Sequence, residues 1–130
     1  MNDRLIGNSD KAKRGTQAEI YISNLLKEHG IENHLMQPRH PFDIFTENRL
    51  RIDVKSAWTR RPAGYSFGSK KRDKCNYTDF YILVIMVEKP VVFIVPYTAV
   101  PWDAIVMNWP AERPGKWNWQ QWIDRFDLLQ

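Results

Sequence analysis

The chain has 130 residues, a formal net charge of +4, 43% hydrophobic residues and a single cysteine. That length suits one compact domain with one buried core, and the absence of any run of about 18 apolar residues excludes a membrane-spanning helix. Cys75 by itself excludes an intramolecular disulfide and a multi-cysteine zinc site, so a reducing, cytoplasmic setting is expected.

Residues 1–14 (MNDRLIGNSDKAKR) read as a flexible, basic lead-in without the apolar stretch of a signal peptide. From Thr16 to His29 the pattern becomes helical: Ala18, Ile22, Leu25 and Leu26 follow an i, i+4, i+7, i+8 stripe, with Tyr21 beside it. "TQAE" at 16–19 has the form of a capping box, with Thr16 as N-cap and Glu19 reaching back to it. Gly30 stands where a helix C-cap glycine belongs. Residues 31–37 suggest a first short strand, and Pro38 and Pro41 bracket a loop.

Phe42, Ile44, Ile52 and Val54 then alternate at period two around "TEN" at 46–48, the pattern of a hairpin. "GYSF" at 64–67 reads as a further short strand. "DFYILVIMV" at 79–87 is a continuous apolar run, as in a strand covered on both faces, and "VVFIV" at 91–95 repeats it after "EKP". These elements predict an α/β domain, with a mixed central sheet covered on one face by the N-terminal helix. No amphipathic second helix is legible between Lys55 and Asp79. Five of the six tryptophans fall in the C-terminal segment, at Trp102, Trp109, Trp117, Trp119 and Trp122. The plain reading is a segment that closes one end of the core. Base stacking and a dimer contact are the alternatives, with Trp117 and Trp119 expected to be the most exposed.

Chemistry concentrates in "PFDIFTENRLRIDVKSA" at 41–57. Residues two apart in a strand share a face, so Arg51, Asp53 and Lys55 point one way and Leu50, Ile52 and Val54 the other. With the turn at Glu47–Arg49, Asp43 falls opposite Asp53. Two neighbouring carboxylates resist joint ionisation, and a hard divalent cation removes that conflict. Mg²⁺ uses one or two carboxylates and completes its octahedron with water and substrate phosphate. A lysine beside it is suited to orienting or deprotonating water, or to stabilising charge on phosphate oxygens. An ordinary solvated strand face is the competing reading of any D-x-K. Basic residues flank the stretch: Lys11, Lys13 and Arg14 before it, and Arg60, Arg61, Lys70, Lys71, Arg72 and Lys74 after it. Around paired carboxylates they point to phosphate binding. His29, His34 and His40 lack metal-ligand spacing, and no phosphate-binding glycine loop is present.

"GTQAE" at 15–19, "PFD" at 41–43 and "DVK" at 53–55 together resemble the PD-(D/E)xK nuclease superfamily. That superfamily includes restriction endonucleases, Holliday junction resolvases and intron-encoded homing endonucleases. The resemblance covers the N-terminal half and extends loosely to "DFYILVIM"; the motif proline, Pro41, is displaced by Phe42. It implies a restriction-endonuclease-like core and a divalent-metal-dependent DNA endonuclease, resolvase-like or site-specific. It implies Asp43, Asp53 and the Val54 backbone carbonyl as Mg²⁺ ligands, with Mn²⁺ able to substitute. Lys55 would be the catalytic lysine and Glu19 the first-helix acid, reaching the metal through water. Lys13, Arg14, Arg60, Arg61, Lys70, Lys71, Arg72 and Lys74 would grip DNA. Cutting both strands of a duplex calls for a homodimer or a larger symmetric assembly. A non-catalytic DNA-binding module on the same fold is the alternative.

Overall fold

The computed structural model describes residues 10–69, 77–101, 104–110 and 119–130. Helix α1 (Asp10–Glu28) opens the chain, followed by strands β1 (Asn33–Leu35), β2 (Ile44–Thr46), β3 (Arg51–Ala57), β4 (Tyr65–Ser69), β5 (Phe80–Ile85), β6 (Val91–Pro96) and β7 (Ala104–Met107). Five strands form one sheet in the order β1-β2-β3-β5-β6, and β4 pairs with β7 in a separate ribbon. Strands β1, β2 and β3 form an antiparallel meander; β5 runs parallel to β3, and β6 returns antiparallel. The expected mixed sheet with an N-terminal helix is therefore present.

The helix begins six residues earlier than expected. Asp10 suits the first turn of a helix, where a negative charge meets the positive end of the dipole. Lys11, Ala12, Lys13 and Arg14 are good helix formers, so Asp10–Arg14 are helical and not part of a loose lead-in. Thr16 is consequently interior. Its hydroxyl donates to the Ala12 carbonyl one turn back, at 3.1 Å, and does not cap the helix. The C-terminus follows expectation. Gly30, at φ 76°, takes the left-handed conformation that follows a helix, and Gly30 N–H donates to Lys27 O and Ile31 N–H to Leu26 O.

Alternation along β3 divides the molecule into two cores. Ile52, with partly buried Val54, faces α1 and packs with Ala18, Ile22, Leu26, Ile82 and Ile94. The opposite face gathers Tyr81, Leu83, Ile85, Phe93 and Val95, covered by Phe67, Ile105, Met107 and Trp119. Thus β5 is buried on both faces, as its continuous apolar run requires. Among the described residues no helix links β3 to β5. The β4–β7 ribbon occupies the second face, so "GYSF" belongs to a cover layer and not to the main sheet. The C-terminal segment closes that layer. Trp119 is only 3% exposed, which corrects the expectation that it is a surface aromatic. Trp109 meets Phe93 edge to face, and Trp122 packs on the same core. Trp102 and Trp117 lie outside the described residues.

Candidate active site

The β2–β3 hairpin sets the positions of the acidic residues. Ile44 pairs with Ile52 and Phe45 with Arg51, so one further step places Asp43 across from Asp53. Arg49, at φ 71°, closes the connection, with its N–H donating to Thr46 O at 2.9 Å. Asp43 is half-buried just before β2. Its Oδ2 accepts the Val54 N–H at 2.8 Å, and its carbonyl accepts the Met36 N–H. Oδ1 has no protein donor among the described residues. The N–H and C=O of a strand residue point to the same neighbouring strand, so the Val54 carbonyl is turned to the β2 side as well.

Asp53 lies on the opposite face from Ile52 and is only 6% exposed. The Thr78 hydroxyl, itself buried, donates to Asp53 Oδ2 at 2.9 Å. Two residues along, Lys55 shares that face, and its Nζ stands 5.4 Å from the centre of the Tyr81 ring. Tyr81 is the β5 residue in register with Asp53. Beside this group, Asp79 clamps Arg51. One carboxylate oxygen accepts the Arg51 N–H and Nε–H at 2.8 and 3.0 Å, and the other accepts Nη2–H at 2.9 Å. These bonds to Arg51 hold the Asp79 carboxyl below its ordinary range and raise the guanidinium above its own.

Two clefts open along the first half of α1. One, of about 260 Å³, is lined by Thr16, Glu19, Gln37, Arg39, His40 and Asp43. It brings Glu19 and Asp43 to a common space. The other, of about 620 Å³, is lined by Lys11, Arg14, Gly15, Val54, Lys55, Trp58 and Arg61, among others, with no acidic residue among the described residues of its wall. Of the predicted DNA-contacting residues, Arg14 and Arg61 therefore join Lys55. Lys13 is exposed on α1 outside this wall, and Arg60 bonds Asn108 while standing 5.9 Å from the Tyr65 ring centre. Lys70, Lys71, Arg72 and Lys74 lie outside the described residues. Gly15, Trp58 and Thr78 were not among the predicted site residues, and Lys11 figured only as one of the flanking basic residues. For Trp58 the available signal was an aromatic residue directly after the D-x-K strand and before "TRR".

Among the described residues no group of three or more His, Cys, Asp or Glu side chains could hold a metal. Mg²⁺ takes one or two carboxylates and completes its shell with water and substrate phosphate. Asp43, with Oδ1 left over, and Asp53 fit that donor chemistry.

No family model and no curated protein matches the chain. Its fold does match a solved structure of a bacterial homing endonuclease, I-Ssp6803I, with a TM-score of 0.75 over 93% of each chain, at 15% sequence identity. The chain shares the fold of that protein.

Proposed function

We propose that this protein is a divalent-metal-dependent DNA endonuclease of the PD-(D/E)xK type, hydrolysing phosphodiester bonds. The observation that carries this reading is the placement of Asp43 across from Asp53, with Lys55 on the Asp53 face, on a fold shared with a homing endonuclease. Asp43, Asp53 and the Val54 carbonyl would hold Mg²⁺ or Mn²⁺, with Glu19 contributing through water. Bound there, the ion supplies Lewis-acid stabilisation of a phosphoryl oxygen and lowers the pKa of water.

The chain's own residues do the rest. Water oxygen bonds to phosphorus as the bond from phosphorus to the leaving sugar oxygen breaks; the water proton passes to solvent or to a phosphate oxygen, and the leaving sugar oxygen takes up a proton from solvent. Lys55, on a rigid strand, positions the attacking water and offsets negative charge building on the phosphate oxygens. Arg14 and Arg61 line the cleft that continues from Lys55 and hold flanking phosphates. Cutting both strands of a duplex is served by a homodimer, which places two such sites about a two-fold axis.

The test is incubation of the purified chain with Mg²⁺ or Mn²⁺ and linear duplex, branched and single-stranded DNA. Nicks or breaks that require the metal are expected on at least one of them. Intact DNA in every lane would overturn the reading and leave a non-catalytic DNA-binding module.

A further inference from the structure

Trp58 has no part in the hydrolytic reading, yet it stands in the wall of the cleft beside Lys55. It follows β3 directly and is half-buried, and its indole N–H donates to Ser56 Oγ at 3.1 Å, which fixes the ring. The Arg14 guanidinium lies 5.9 Å from the ring centre, near the outer reach of a cation–π contact. Lys11, Arg14, Lys55 and Arg61 line the cleft and, among the described residues, no carboxylate does, which suits an anion. Gly15 borders the same space. A glycine inside a helix is destabilising relative to alanine, and a Cβ at Gly15 would meet no atom of the described residues within 4 Å beyond its neighbours and its own helix backbone. Among the described residues packing gives no reason for the missing methyl group, and the open space beside Gly15 leaves room for a ligand.

We propose that this cleft holds one unpaired nucleotide of DNA, its base stacked on Trp58. Its phosphates would be held by Lys11, Arg14 and Arg61, and its backbone would pass close to Gly15. The inference rests on the DNA endonuclease reading for its substrate class and deepens it. Inside a duplex both faces of a base are covered by its neighbours. A tryptophan set in a recess reaches a base face only after the base has left the stack. At about 620 Å³ the cleft falls within the range of about 300–1,000 Å³ typical of small-molecule sites. On binding, the weakly placed Arg14 guanidinium yields the ring to the base and turns to phosphate. Such a protein prefers forked, gapped or flapped DNA to perfect duplex.

The test is DNA binding by the full chain in EDTA, where cleavage plays no part. The ligands are a perfect duplex and a fork carrying unpaired 2-aminopurine at the junction. The fork is expected to bind about tenfold more tightly, with its 2-aminopurine fluorescence quenched. Trp58→Ala is expected to abolish the preference and the quenching, and Trp58→Phe to keep most of both. Gly15→Ala is expected to raise the melting temperature yet weaken fork binding severalfold, a loss that misfolding cannot explain. Equal affinity for fork and duplex, a preference that survives in Trp58→Ala, or unchanged fork binding by Gly15→Ala would each overturn the proposal. Fork preference without cleavage in Mg²⁺ sustains the cleft and overturns the nuclease; cleavage without fork preference does the reverse.

Discussion

Asp53 sits in a strand between Ile52 and Val54 with almost all of its surface hidden, and a buried carboxylate is costly unless hydrogen-bonded. Thr78 supplies such a bond, and Asp79, the next residue, clamps Arg51. Adjacent residues ahead of β5 thus secure both the candidate catalytic carboxylate and the start of its strand. The Arg51–Asp79 pair has a pH signature. The Asp79 carboxyl is lowered chiefly by its hydrogen bonds to Arg51, so its contribution to stability is complete above the ordinary aspartate value of about 3.9. That contribution is lost as pH falls through the lower, folded-state value. Both side chains are about one-third exposed, so screening limits the pair to about 1 kcal/mol. Asp79→Asn is expected to melt below wild type near pH 7, with the gap narrowing under about pH 4. A constant gap across a melting-temperature titration would contradict this.

At the scale of elements, period-two alternation made the β2–β3 hairpin legible. Because side-chain direction in a strand depends only on parity, counting from the turn placed Asp43 across from Asp53. The start of α1 was not legible, since "TQAE" imitates a cap while Asp10–Gly15 carry no apolar stripe to announce a helix. The role of Thr78 was not legible, because its bond to Asp53 depends on the parallel pairing of β3 with β5, set by contacts distant in sequence. Trp58 stands apart in sequence from the Trp-rich C-terminal segment, whose Trp119 is core. The β4–β7 ribbon was half legible: "GYSF" was recognised, but not its partner or its place outside the main sheet. Gly64 governs how that ribbon meets the cleft. It exchanges backbone hydrogen bonds with Arg61 across a tight turn, at φ 121°, and a Cβ there would collide with the Met107 backbone. Gly64→Ala is expected to cost about 2–4 kcal/mol in chemical denaturation. A loss under 0.5 kcal/mol (roughly the scatter of a neutral surface change) would show that the turn tolerates a side chain.

Across the whole molecule, a fold shared at 15% identity keeps its architecture while nearly all of its sequence differs. Asp43 sits next to β2, which the first core holds through Ile44, and Asp53 and Lys55 sit on β3, which both cores hold through Ile52 and Ala57. Binding of the proposed ion to this native arrangement would be linked to global stability. Mg²⁺ at about 100 times its dissociation constant is expected to stabilise the fold by about 2.7 kcal/mol, read as a rise in melting temperature. That rise is expected to vanish in Asp43→Ala, and a rise of equal size in the variant would place the ion elsewhere. The central claim, that one face of β3 hydrolyses DNA, is tested most directly by cleavage kinetics of wild type, Asp53→Asn and Lys55→Ala in Mg²⁺. Melting curves taken alongside establish that each variant is folded. The account predicts variants that melt cooperatively and cut at least about 10²-fold more slowly than wild type; folded variants that cut at the wild-type rate would contradict it.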